Sequence, residues 1–347
     1  MKSSVCFALT LLSMLLAQSG HADTAPGAAS DAEAEALPLL RVEGNRFVVA
    51  DTGEPIVLRG LAMTDPAVMK KRGQWNRTYF EAAADWNANV VRLPVHPAHW
   101  RETGEEDYLA LLDEAVEWAT ELGLYIIIDW HSIGNILTGV YYHPNYQTSR
   151  DETYRFWNTI GVRYAGNTTV AFYELFNEPT RRGGQMGPMT WEDYAQFIEG
   201  LISMLYAIDD TAIPLVAGFD WGYSLTTLID RPIQHPGVGY VTHPYPQKRD
   251  EPWEPKWQEE WGFAADTYPL IATEFGFMSA DERGAHKPVI GDEHYGESII
   301  RFFEERGISW TAWVFDPFWT PNLIEGWDYT PTRSGRFFQQ KLKELNP

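Results

Sequence analysis

The chain repeats one pattern eight times: a short apolar run followed by a stretch with helical spacing. The runs fall at 57–61, 90–95, 124–129, 170–176, 214–218, 238–242, 270–274 and 308–314. They lack strict apolar-polar alternation, so as strands they are buried on both faces. The clearest helix spans 108–122, where Leu109, Leu112, Ala115, Val116, Ala119 and Leu122 share one face and Gly123 ends it. Segments 151–164, 191–208, 294–306 and 332–345 follow the same rule, with weaker helices after the first, fifth and sixth runs. Doubly buried strands joined by helices require a parallel sheet, and eight such units in roughly 300 residues are what a closed barrel needs. The expected fold class is therefore α/β, a single-domain (β/α)8 TIM barrel. An open doubly wound sheet is the alternative, but no glycine-rich phosphate loop supports it.

The barrel domain is expected over 39–347, entered through a β-hairpin at 41–55 with Val42, Phe47 and Val49 as its apolar positions. Residues 1–22 read as a secretory signal peptide: Met1-Lys2, an apolar stretch over 5–17, and a small-x-small site at Gly20-His21-Ala22. The apolar stretch is too short to span a bilayer. The single cysteine, Cys6, lies inside it and away from the cleavage point, so no lipid anchor is expected. The mature chain would contain no disulfide, which fits a bacterial secreted or periplasmic enzyme. Residues 23–38, rich in Ala, acid, Gly and Pro, read as a disordered linker.

Charge narrows the partners. Forty-eight Asp and Glu against 27 Lys and Arg leave a formal charge of −21, a surface that repels nucleic acid and anionic membrane. Aromatic residues make up 14% of the chain, including 15 Trp, more than a core requires. Indole faces suit the C–H faces of sugar rings.

Polar residues then cluster where a barrel puts its chemistry, at the C-terminal ends of the strands. Strand two ends in Arg92-Leu93-Pro94, strand three in Asp129-Trp130-His131 and strand four in Asn177-Glu178-Pro179. Strand six ends in His243-Pro244-Tyr245, strand seven in Glu274-Phe275-Gly276, and strand eight carries Trp313. Each alone has an ordinary explanation as a cap or ion-pair partner. Six strands ending this way do not, because these side chains are poor strand formers and costly to bury unpaired. Glutamates on strands four and seven face each other across the mouth, and two carboxyls flanking a bond are what glycoside cleavage requires. Arg92 would hold Glu274 ionised, with Tyr245 donating to the same carboxylate. Asn177 suits a hydrogen bond to the sugar 2-hydroxyl, and His131 and His243 add donors, His243 tuning Glu178. Trp313 would form the floor under the reacting ring.

These eight residues resemble those that glycoside hydrolase family 5, the cellulase family, places around its cleavage subsite, and the resemblance covers the whole barrel domain. It implies that Glu178 is the acid/base and Glu274 the nucleophile, that configuration is retained, and that no metal or other cofactor is needed. The Asp129-Trp130-His131 triplet is similar to the cellulase branch, which implies β-1,4-glucan as substrate and endoglucanase activity. A β-mannanase, xyloglucanase or exo-β-glucosidase of the same family is the alternative, as is a non-catalytic polysaccharide-binding barrel. The loop 316–321 bears on endo or exo action. Trp221 and Trp319 are placed for cleft walls, while Trp75, Trp100, Trp130, Trp253, Trp257, Trp261 and Trp327 are further candidates for which burial competes. A metal-dependent hydrolase would need clustered ligands; His96 and His99 fall at i and i+3, with no carboxylate cluster near them in sequence.

Overall fold

The structure, a computed structural model, describes residues 36–180 and 186–346. The expected signal 1–22, and the linker up to residue 35, lie outside the described residues.

An antiparallel hairpin, β1 (Leu40–Glu43) and β2 (Arg46–Val49), leads into the barrel. The first three barrel strands are β3 (Arg59–Ala62), β4 (Val90–Val95) and β5 (Tyr125–Trp130). Two short strands, β6 (Ile133–Asn135) and β7 (Val140–Tyr141), follow in the next loop. The fourth barrel strand is β8 (Val170–Glu174), with a short extension β9 (Glu178–Pro179) beyond it. The barrel continues with β10 (Ile213–Ala217), β11 (Gly239–Val241), β12 (Leu270–Phe275) and β13 (Ser309–Ala312). All eight barrel strands are parallel, and β13 pairs with β3 to close the circle.

The principal helices lie where the periodicity placed them: Glu105–Leu122, Arg150–Arg163, Trp191–Ile208, Glu293–Arg306 and Arg333–Leu345. Glu105, Glu106 and Asp107 occupy the first turn of the first of these, against the positive end of its dipole, and Gly123 ends it in a left-handed conformation (φ 71°). The weak helix expected after the fifth strand is reduced to one 3-10 turn, Thr226–Leu228.

Alternation along each strand divides the core. Leu61, Val91, Ile126, Ile128 and Ala272 face outward to the helices, while Val90, Tyr125, Ile127, Phe172, Leu215 and Ile271 fill the barrel interior. The hairpin plugs the N-terminal mouth, its buried Phe47 packed edge-on against Phe172 at 5.0 Å. The same inward alternation, continued upward, places Arg92 above Val90, Asp129 above Ile127 and Glu174 above Phe172. The floor is therefore apolar and the upper layer charged.

Candidate active site

Arg92 is the hub of that upper layer. Its side chain has no solvent exposure, and it donates Nε and Nη2 to the two oxygens of Glu174 (2.7 and 2.9 Å) and Nη1 to Glu274 Oε1 (2.9 Å). Nη2 also donates to Asn177 Oδ1 (2.6 Å) and lies 2.9 Å from Asp129 Oδ2. A buried guanidinium this rich in carboxylates is held permanently charged: burial works against it, but Asp129, Glu174 and Glu274 outweigh that and raise its pKa further.

Glu274 reaches the cavity through an irregularity. The pairing of β12 with β13 slips between Ala272 and Phe275, so Thr273 and Glu274 both serve the mouth while Ala272 and Phe275 face the helices. The Tyr245 hydroxyl donates to Glu274 Oε2 (3.2 Å). Burial pushes the Glu274 carboxyl up, with Glu178 and Glu174 adding to it and His243 and Arg92 opposing.

Glu178 is positioned differently. Past the end of β8 the chain is gathered by the loop after β5: Asn177 N–H donates to Trp130 O (3.2 Å), Glu178 N–H to Ser132 O (3.0 Å), and β9 pairs with β6. Among the described residues the carboxylate's hydrogen-bonding neighbour is His243, whose Nδ1 lies 3.0 Å from Oε1. His243 Nε2 sits 2.9 Å from the Thr273 hydroxyl, which itself donates to Glu174 (3.0 Å). Thr273 must therefore accept from Nε2–H, leaving Nδ1 and Glu178 to share one further proton. Burial disfavours the His243 imidazolium, but Glu274, Glu174 and Glu178 outweigh burial and raise its pKa to about 9.

Trp313 and His131 complete the set. Their rings lie parallel, 5.5 Å apart, and His131 Nδ1–H donates to Asp129 Oδ2 (2.6 Å). Burial and the nearby His96 and Arg92 hold His131 neutral. All eight residues expected at the site, Arg92, His131, Asn177, Glu178, His243, Tyr245, Glu274 and Trp313, thus meet at one mouth. Glu174, Thr273 and Asp129 belong with them and were missed as site residues. The signal for Glu174 was an acid inside the apolar run VAFYELF, in register with the inward Phe172.

Above the carboxylates opens a cleft of about 790 Å³, lined by Trp313, Trp319, Trp221, Tyr142 and Tyr146 among others. Trp319 lies nearly parallel to Trp313, 6.0 Å away. For the other tryptophan candidates the burial alternative holds at six positions, Trp75, Trp100, Trp130, Trp253, Trp257 and Trp261, and Trp327 packs edge-on against Phe318. Trp130 of the strand-three triplet spends its indole N–H on Thr153 (3.2 Å).

A second expectation is also corrected. His96 and His99 do meet a carboxylate, Asp65 from the end of the first strand, whose Oδ2 is 2.9 and 3.0 Å from their Nδ1 atoms. Asp65, His96 and His99, like Glu178, His243 and Glu274, bring potential metal-ligating atoms within 4.8 Å of one another. In the Asp65 group the carboxylate is already used, Oδ2 by both imidazoles and His96 N–H, Oδ1 by the amides of Ala67 and Val68. It reads as a hydrogen-bonded brace for the cleft wall, where His96 packs against His131 and Trp319.

A closed parallel barrel with two carboxylates facing each other under an aromatic-lined cleft is the arrangement of the barrel glycosidases. The sequence profile described as cellulase (glycosyl hydrolase family 5) matches residues 49–318, and the chain belongs to that family. The crystal structure of a β-glucanase from Saccharophagus degradans in complex with cellotetraose is 44% identical, with a TM-score of 0.89, over 93% of this chain and 99% of that one. The catalytic domain of an endoglucanase from Thermobifida fusca has the same fold, with 21% identity and a TM-score of 0.71 over 88% of this chain and 97% of that one. Among curated relatives, Endoglucanase A of Butyrivibrio fibrisolvens is 25% identical over 79% of this chain. Endoglucanase E-5 of Thermobifida fusca is 26% identical over 76%. The matches span 59% and 53% of those two proteins' lengths.

Proposed function

We propose that the protein is an endo-β-1,4-glucanase that cleaves with retention of configuration, Glu178 acting as acid/base and Glu274 as nucleophile. The observation that carries this reading is the carboxylate spacing: oxygens of Glu178 and Glu274 lie within 4.8 Å of each other. Retaining enzymes hold their carboxyl groups about 5–5.5 Å apart, whereas inverting enzymes leave room for a water, at about 6.5–9.5 Å.

In the first step Glu178 gives its proton to the glycosidic oxygen as a Glu274 oxygen bonds to the anomeric carbon, and the leaving sugar departs as an alcohol. In the second, Glu178 takes a proton from water, whose oxygen displaces Glu274 from that carbon and restores both groups. Arg92 and Tyr245 aim and anchor the Glu274 carboxylate. Asn177, its Oδ1 held by Arg92, has an Nδ2 donor without a partner among the described residues, suited to the 2-hydroxyl. Trp313 supplies the floor.

Glucan is favoured by the relatives, which are endoglucanases and a β-glucanase, and endo action by aromatic walls on both sides of the carboxylates, Trp319 beyond Trp313 and Trp221 beyond Glu178. Product analysis by proton NMR should show the β-anomer forming first; the α-anomer first would exclude the retaining reading. Activity should appear on carboxymethyl-cellulose and mixed-linkage glucan. Activity on mannan alone would replace glucan as the substrate.

Among the described residues no helix is long and apolar enough to cross a membrane. Residues 1–22 are proposed to direct export, so the exported chain should begin at Asp23 by N-terminal sequencing.

A further inference from the structure

Beyond the end of β10 the backbone turns left-handed at three consecutive residues, Asp220 (φ 63°), Trp221 (56°) and Gly222 (68°). L-residues enter this region singly and at a cost, so such a run must be held by its surroundings. The holder is visible. Lys248 Nζ donates to the carbonyls of Asp220 (3.0 Å) and Trp221 (3.3 Å), and its ammonium lies 5.7 Å from the centre of the Trp221 ring. Both side chains line the cleft.

The turn is also stitched to the catalytic layer. Trp221 N–H donates to Pro179 O (3.2 Å), one residue past Glu178, and His243 N–H donates to Gly222 O (2.9 Å). A side chain at Gly222 would place its first carbon 2.8 Å from His243 Nδ1, the atom that faces Glu178. Trp221 is therefore fixed relative to the carboxyl that protonates the departing oxygen, on the side away from the Trp313 and Trp319 floor.

We propose that Lys248 is a positioning residue for the leaving-group half of the cleft, its ammonium gathering the two carbonyls of the left-handed turn and so fixing the Trp221 indole as the platform for the departing sugar. This rests on the assignment of Glu178 as acid/base. A Lys248 that merely stabilised the fold would weaken all substrates alike. One that sets the platform weakens only those with a sugar beyond the cleaved bond.

The test compares cellotetraose with dinitrophenyl β-cellobioside, whose leaving group is no sugar and needs little protonation. For Lys248→Met, the loss in kcat/KM on cellotetraose should exceed that on the aryl substrate by about tenfold, the scale of one stacking contact, and should lie mainly in KM. Lys248→Arg should recover most of it. Trp221→Ala should show the same selective loss, and adding Lys248→Met to it should cost little more. Equal losses on the two substrates, no loss, or a double variant far worse than Trp221→Ala would overturn the proposal. Wild-type turnover of the aryl substrate, and its abolition by Glu274→Gln, tests the underlying glycosidase reading separately.

Discussion

The two glutamates share a mouth but not an environment, and that difference assigns their roles. Glu274 is gripped by Arg92 and Tyr245, one on each oxygen, so it is oriented, and Arg92 favours its anion against the burial that raises its pKa. Glu178, among the described residues, meets His243, with which it can exchange a proton. Replacing Glu274 by Gln keeps the shape and an acceptor for Arg92 but removes the nucleophile, so kcat should fall by roughly five orders of magnitude with cello-oligosaccharide binding retained in calorimetry. Glu178→Ala should lose polysaccharide hydrolysis yet recover turnover of an activated aryl glycoside when azide is added, because azide needs no base to attack the glycosyl-enzyme. Absence of an azide adduct in that variant would remove Glu178 from the acid/base role.

At the level of elements, the hairpin is read most easily from sequence and has the simplest consequence. Phe47 is buried among Phe172, Leu215 and Ile271 at the end of the barrel opposite the cleft. Phe47→Ala should cost about 3–5 kcal/mol of unfolding free energy in a denaturant titration while leaving kcat near wild type, since the cavity opens in the floor and not the mouth. The eight strands were legible for the same reason the hairpin was: apolar runs report burial directly. The site was legible because polar residues ended those runs. What escaped depended on partners distant in the chain. Glu174 sits three residues before the conspicuous Asn177, and only its pairing with Arg92 distinguishes it from a strand-end acid. Asp65 joins His96 and His99 only once the first and second strands lie side by side. The left-handed turn at 220–222 left only weak marks, Asp220 and Gly222, because the Trp221 between them does not advertise that conformation.

Across the whole molecule, the upper barrel layer is one coupled electrostatic unit, with Arg92 and His243 set against Asp129, Glu174, Glu178 and Glu274. Its titration should shape both stability and rate. Burial opposes the Glu174 anion, but Arg92 and His243 together outweigh it and lower the carboxyl from 4.5 to about 2. That stability is present above pH 4.5 and is lost as pH falls toward 2. The raised pKa of His243 acts in the other direction: its contribution is full below pH 6.5 and lost as pH rises through about 9. Catalysis requires Glu274 ionised and a proton on the Glu178–His243 pair, so kcat/KM should be bell-shaped. The acid limb should lie above the usual carboxylate value because burial raises Glu274, and the basic limb should be set by loss of the shared proton. His243→Asn removes the proton partner of Glu178 and a cation that lowers Glu274. Its basic limb should therefore move down and its acid limb up, narrowing the active range from both sides. A pH profile with the wild-type width would separate His243 from the catalytic proton and leave it only the hydrogen bond to Thr273.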